Sequence, residues 1–152
     1  MEKEVLLTQE KFDEFTIELK DLKHTKRKEV AENLEYAKSL GDLSENAEYK
    51  EAREAQGKLE DRISHLEQVL KVAKIVTHTK SDVVSLGSEI EVKRNGKTAQ
   101  YTLVSSEEAD MSKGKISIES PFGVAIMGKK KGEDFSYNTP SGTITYTITK
   151  VV

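Results

Sequence analysis

From Thr8 to Val76 the chain contains no proline, and its apolar residues keep helical spacing on both sides of one break, "GDLSEN" at residues 41–46. The first series is Phe12, Phe15, Leu19, Leu22, Val30, Leu34 and Ala37; the second is Ala52, Ala55, Leu59, Ile63, Leu66, Leu70 and Ala73. Each is a single apolar stripe on an otherwise charged helix. Neither stripe has a core of its own. Two such helices joined by a short turn bury their stripes against each other, which predicts an antiparallel coiled-coil hairpin. Folding the chain about Ser44 sets Leu22 opposite Leu66, Val30 opposite Leu59 and Leu34 opposite Ala55. At about 1.5 Å per residue, arms of roughly 33 residues reach about 50 Å, so the turn is expected at the tip of a protruding rod. Thr8 is the expected N-cap of the first arm, with Glu10 favoured by the helix dipole. Ala37, Ala47, Ala52 and Ala55 cluster near the turn; alanine is the best helix former, and its size also lets two helices approach closely.

After Val76 the period changes from helical to alternating. Two strand-like runs flank Asn95-Gly96, the strongest short signal for a type I′ hairpin. "GKISIES" and "TITYTITKVV" read as further strands, the second alternating Ile144, Tyr146 and Ile148 against threonines. Between them "SPFGVAIMGK" offers Ser120 as N-cap, Pro121 at the first helical position and a closing Gly128, the pattern of a short helix. The expected fold class is α+β. Residues 1–76 form the hairpin with its turn near 41–45, residues 77–82 ("THTKSD") a linker, and residues 83–152 a small antiparallel β domain carrying one short helix.

Composition narrows the function. Charged residues make up 34% and hydrophobic ones 36%, so long solvated helices are expected rather than one large core. The net charge of −3 excludes a general polyanion binder and confines any nucleic-acid contact to a local basic patch. There is no cysteine, which excludes disulfides, thiolate metal sites and cysteine nucleophiles. No apolar run approaches the roughly 20 residues needed to span a bilayer, and "MEKEVLLTQE" lacks a signal-peptide core. A soluble cytoplasmic protein without a membrane partner is expected. His24, His65 and His78 form no metal-ligand spacing, and no role is assigned to them.

The break itself carries the chemistry. Asp42 and Glu45 stand three apart before the second helix, a capping-box pattern in which Asp42 accepts from backbone N–H groups and Glu45 reaches back. The same pair is also a partial Mg²⁺ site, because Mg²⁺ takes one or two protein carboxylates and completes its shell with water and phosphate. Two acids make no self-sufficient cage, but they complete one that a partner supplies.

"GDLSENAEYKEAREAQGKLEDRI" closely resembles the tip and second helix of the bacterial Gre transcript-cleavage factors, nearest the GreA type. "SSEEADMSKGKISIESPFGVAIMGKKKGE" and "TPSGTITYTITKV" resemble that family's C-terminal domain. The resemblance spans essentially the whole chain and implies a coiled-coil hairpin followed by an FKBP-like domain. It further implies a role in transcription regulation, with DNA-binding as part of the transcribing complex. In the family the rod enters the secondary channel of RNA polymerase. There the tip acids, which match Asp42 and Glu45, help hold a second Mg²⁺ and its attacking water at the polymerase's own active site. A backtracked transcript is then cut endonucleolytically, so the factor stimulates the polymerase and is not itself an enzyme, and no small-molecule substrate is implied. The resemblance places Lys38 and Arg53 in a basic patch facing the nascent RNA 3′ end, with Lys38 where many relatives carry Arg. It places Ser120, Pro121 and Phe122 at the rim of the channel. An inhibitory paralogue that only occupies the channel, and a non-catalytic coiled-coil adaptor, share the shape. The fold also raises a peptidyl-prolyl isomerase, against which the sparse aromatics Phe122, Phe135, Tyr137 and Tyr146 argue. Lys129, Lys130 and Lys131 read as a solvated edge.

Overall fold

The computed structural model describes residues 3–152. The chain divides into two compact units, one ending at Ile75 and one beginning at Val76.

The first unit is the hairpin. Strand β1 (Val5–Leu7) leads into α1 (Gln9–Asp21), a π-helical turn over Leu22–Lys26, and α2 (Arg27–Ser39). After the turn, α3 (Ala47–Val72) runs back and ends in β2 (Ala73–Ile75). Thr8 caps α1 as expected, its Oγ1 accepting from the Lys11 N–H at 3.1 Å. The π turn follows from the stripe. Leu22 and Val30 lie eight residues apart, more than two α-helical turns, and one wider turn absorbs the excess so that the apolar face stays inward.

Two clusters hold the hairpin. Near β1 and β2, Leu7, Phe15, Leu66 and Val69 are buried with Leu22 packed against them, which brings Leu22 and Leu66 together as expected. Near the turn, Leu34 packs with Ala37 and Ala52. Ala55 was expected opposite Leu34 but is exposed. Ala52, seven residues before Leu59, returns to the inward side after nearly two whole turns and fills that place. Leu59 and Ile63 are buried between the clusters, and ion pairs flank that stretch and the first cluster. Arg27 grips Glu60 with two hydrogen bonds (2.9 and 2.8 Å), Arg62 grips Glu18 likewise (2.8 and 2.9 Å), and Lys23 Nζ lies 2.6 Å from Glu67. The two bidentate pairs tie one arm of the hairpin to the other. The second helix stops at Val72 rather than Val76, because β2 pairs in parallel with β1, Val5 against Ala73 through Leu7 against Ile75.

The second unit is a five-stranded sheet in the order β5-β4-β3-β7-β6, built from β3 (Glu89–Arg94), β4 (Lys97–Val104), β5 (Lys115–Ser117), β6 (Asp134–Thr139) and β7 (Gly142–Val151). The β3–β4 hairpin turns at Asn95 and Gly96, both with positive φ (52° and 77°), as a type I′ turn requires. The sheet is mixed rather than wholly antiparallel. Residues 105–114 carry the chain back past the end of β4, so that β5 runs parallel to it with Thr102 opposite Lys115. Helix α4 (Pro121–Ile126) is capped by Ser120, whose Oγ accepts from the Gly123 N–H at 3.0 Å. It sits so close to β5 that a Cβ on Gly123 would lie 2.1 Å from the Ser117 carbonyl oxygen. Val84, Ile90, Val92, Leu103, Ile116, Phe122, Ile126, Phe135 and Ile148 form the core, each contributing about 1.5–3 kcal/mol when fully buried. Among the described residues no helix is long and apolar enough to cross a membrane.

Candidate functional site

The hairpin turn is built by three short-range devices. Helix α2 closes with the Leu40 N–H donating to the Ala37 carbonyl at 3.2 Å. Gly41 then takes φ +123°, a conformation that side chains disfavour. Asp42 Oδ1 next accepts from both the backbone N–H (3.0 Å) and the hydroxyl (2.8 Å) of Ser44, a local turn typical of aspartate.

The cap of α3 is Asn46, not Asp42. Asn46 Oδ1 accepts from the Tyr49 N–H at 3.0 Å, and its Nδ2 donates to the Ala37 carbonyl at 2.6 Å. One side chain thus satisfies the start of α3 and the end of α2 together. The capping-box reading of Asp42 and Glu45 therefore fails. The first orphan donors of the helix lie too far along the chain for Asp42, and Asn46, among the strongest N-cap residues, stands immediately before it. That signal was present in the sequence.

Freed from capping, the two acids are exposed. Both line one shallow depression at the turn, with Leu40, Asn46, Ala47 and Glu48. The Ser44 backbone N–H, and after it the Ser44 hydroxyl, hold the Asp42 carboxyl below its ordinary value, so it is firmly ionised at neutral pH. Its Oδ2 and both oxygens of Glu45 have no hydrogen-bond partner among the described residues. Among the described residues no group of three or more acidic, histidine or cysteine side chains is placed to hold a metal. What the tip offers is hard, anionic oxygen from two side chains. That donor set fits a Mg²⁺ shared with another molecule.

Lys38 and Arg53 are both exposed, each next in sequence to a buried alanine of the same cluster, Ala37 and Ala52. Arg53 Nη1 donates to Gln56 Oε1 at 2.7 Å. That bond leaves most of the guanidinium to solvent.

In the second unit Pro121 is exposed and Ser120 half-buried, its hydroxyl committed to the cap. Phe122 is different: it is 7% exposed and contacts Tyr101, Phe135, Tyr137 and Tyr146 edge-to-face at 5.1–6.0 Å. Its ring packs the core beneath the segment, and it offers no surface for docking. The aromatics that a proline pocket would need are spent on one another, and burial raises the Tyr137 phenol above its usual value.

Two family models together cover residues 5–75 and 78–152. Residues 5–75 match the family described as "Transcription elongation factor, N-terminal", and residues 78–152 the family described as "Transcription elongation factor, GreA/GreB, C-term". The Transcription elongation factor GreA of Syntrophomonas wolfei is 47% identical over a 154-residue alignment covering 99% of this chain and 97% of that one. The GreA of Clostridioides difficile is 45% identical, with 98% and 96% covered. Among solved structures, GreA factor homolog 1 of Thermus thermophilus is 26% identical, covers 99% of both chains and superposes with a TM-score of 0.47.

Proposed function

The chain belongs to the GreA/GreB family of transcription elongation factors, and from that premise we propose that it stimulates RNA polymerase to cut backtracked nascent RNA. The observation that carries the reading is the pair Asp42 and Glu45, exposed at the turn and released from capping by Asn46. The hairpin enters the polymerase's secondary channel turn-first, and the acids complete a divalent site that polymerase supplies in part. When bound there, Mg²⁺ provides Lewis-acid activation of water and charge stabilisation for in-line attack on a phosphodiester.

Each residue of the tip has a separable task. Ser44 holds one oxygen of Asp42, leaving Oδ2 for the cation. Glu45 supplies a second, exposed carboxylate. Asn46 holds the loop so that neither acid is drawn into the helix terminus. Lys38 and Arg53 attract the phosphates of the RNA 3′ end without reading sequence, Lys38 as a point charge rather than a bidentate fork. Ser120 and Pro121 present the docking edge of the second unit, supported from beneath by Phe122. The phosphodiester is cut by polymerase, and this chain contributes ligands and electrostatics.

The test is a stalled, backtracked elongation complex incubated with and without the protein. Shortening of the RNA from its 3′ end is the expected result. Binding without shortening would contradict the reading and favour a channel-occupying inhibitor. Absence of binding would leave a coiled-coil adaptor.

A further inference from the structure

A second depression lies beside the acid-lined one at the hairpin turn. Leu43, Tyr49, Lys50 and Arg53 line it and take no part in the first, and most of its wall is apolar. Glu45, Asn46 and Ala47 line both, so Glu45 stands on the ridge between them. At about 390 Å³ it falls within the range of small-ligand clefts, about 300–1,000 Å³. Tyr49, Lys50 and Arg53 share one face of α3 through their three- and four-residue spacing, and the turn adds Leu43. The Tyr49 ring is half-buried and packs on the cluster of Leu34, Ala37 and Ala52. Its hydroxyl has no partner among the described residues. Leu43 is 46% exposed, although the turn made by Asp42 and Ser44 needs no apolar side chain there. Lys50 and Arg53 are exposed, and neither stands in an ion pair among the described residues.

An aromatic ring and an aliphatic side chain beside two cations form the combination that holds single-stranded nucleic acid: a base packs on the ring and its phosphates meet the cations. A purely apolar partner would leave both cations unmet, and a bare anion would leave Leu43 in water. We propose that this depression takes one base of the displaced RNA 3′ segment, packed against Tyr49 and Leu43, while Lys50 and Arg53 meet the flanking phosphates. This rests on the cleavage function proposed above and adds to it a contact that holds the strand beside Glu45. Every base presents an apolar face, so the site accepts all four.

The probe is a backtracked elongation complex carrying 2-aminopurine at each displaced 3′ position in turn, whose fluorescence falls when the base stacks. With Mg²⁺ withheld the RNA stays intact, and saturating full-length protein should quench one position. Tyr49→Phe keeps the ring and should keep the quenching. Tyr49→Leu removes the ring and should abolish it. Leu43→Ser, in an exposed turn outside the packed cluster, should weaken it with helicity unchanged, which keeps the test decisive if Tyr49→Leu disturbs the turn. With Mg²⁺ restored, cleavage should fall roughly tenfold in Tyr49→Leu, the scale of losing one stacked base. Neither Tyr49→Leu nor Leu43→Ser should lower it further on RNA whose displaced nucleotides are abasic. Binding of the wild type without quenching at any position would overturn the base site, as would quenching unchanged in both Tyr49→Leu and Leu43→Ser. Weaker binding of Leu43→Ser to polymerase, with quenching intact once bound, would assign the depression to a polymerase surface and overturn the base site too. If the wild type quenches but does not stimulate cleavage, the function proposed above fails while the base site stands.

Discussion

The side-chain amide of Asn46 donates to the backbone carbonyl of Ala37 at 2.6 Å, joining the last turn of α2 to the first of α3. The same amide's oxygen caps Tyr49. One residue therefore takes up the helix terminus and leaves two neighbouring carboxylates out of the cap.

Asn46→Ala should remove both bonds and lower stability by about 1–2 kcal/mol. Asn46→Asp should retain the cap but lose the donor to Ala37. Urea denaturation followed by circular dichroism should rank wild type above Asp, and Asp above Ala. Equal stability of all three would show that the turn is held by other contacts.

Ser44→Ala tests the second device. The hydroxyl is the smaller of the two causes that lower the Asp42 pKa, the Ser44 backbone N–H being the larger. An NMR titration of the Asp42 carboxyl should therefore show its pKa rising only part of the way to the ordinary value. Because the folded value is depressed, any contribution of this group to stability is present above the unfolded pKa and lost as pH falls through the folded one. Both the variant and the wild type keep Asp42 ionised at neutral pH, so cleavage there should change little. A full return to the unperturbed value would mean that the backbone bond is absent in solution.

Phe122 and Pro121 separate packing from docking. Phe122→Ala leaves a void at the centre of an aromatic cluster and should cost about 3–5 kcal/mol, unfolding the second unit at a lower temperature than the first. Pro121→Ala, at an exposed N1 position, should change stability by about 1 kcal/mol or less while weakening binding to polymerase. Calorimetry and a binding titration on the same preparations check both. Undiminished affinity of Pro121→Ala would remove this edge from the interface.

The hairpin was legible in the sequence because one stripe of apolar residues per helix has a single solution, and Leu22 and Leu66 do share a cluster. The small domain was legible where turn chemistry is strict, at Asn95-Gly96 and at Ser120-Pro121. What escaped were features whose local signal is weak or shared. The three-residue strands β1 and β2 are too short to show a period of their own, and Ala73 also continues the helical stripe. Strand β6, "DFSYNT", alternates Phe135 and Tyr137 against polar residues at one edge of the sheet, but two apolar residues make too short a signal to stand out. Phe122 beside Pro121 reads as a surface turn in one dimension, and its burial is set by Tyr101, Phe135, Tyr137 and Tyr146 from distant strands. The carboxylates themselves were evident; their release from capping became visible once Asn46 was seen reaching across to Ala37.

Lys38→Glu combined with Arg53→Glu reverses both exposed charges beside the turn. Helicity should be unchanged, because neither side chain is buried or tied to the partner helix among the described contacts. Cleavage should fall roughly tenfold, the scale of losing a charged contact, and crosslinking to the RNA 3′ end should fall with it. Undiminished cleavage at saturating protein would make the pair ordinary solvated surface.

The most direct measurement of the central claim is the cleavage rate of backtracked RNA against Mg²⁺ concentration for wild type, Asp42→Asn and Glu45→Gln. Asn46 rather than either acid caps α3, so both amides should leave thermal stability within about 0.5 kcal/mol of wild type. Both should also compete with the wild-type protein for polymerase. Each removes an ionised oxygen ligand, so cleavage should drop steeply at low Mg²⁺ and recover in part as Mg²⁺ rises. Wild-type cleavage by both variants across the whole Mg²⁺ range would contradict the account.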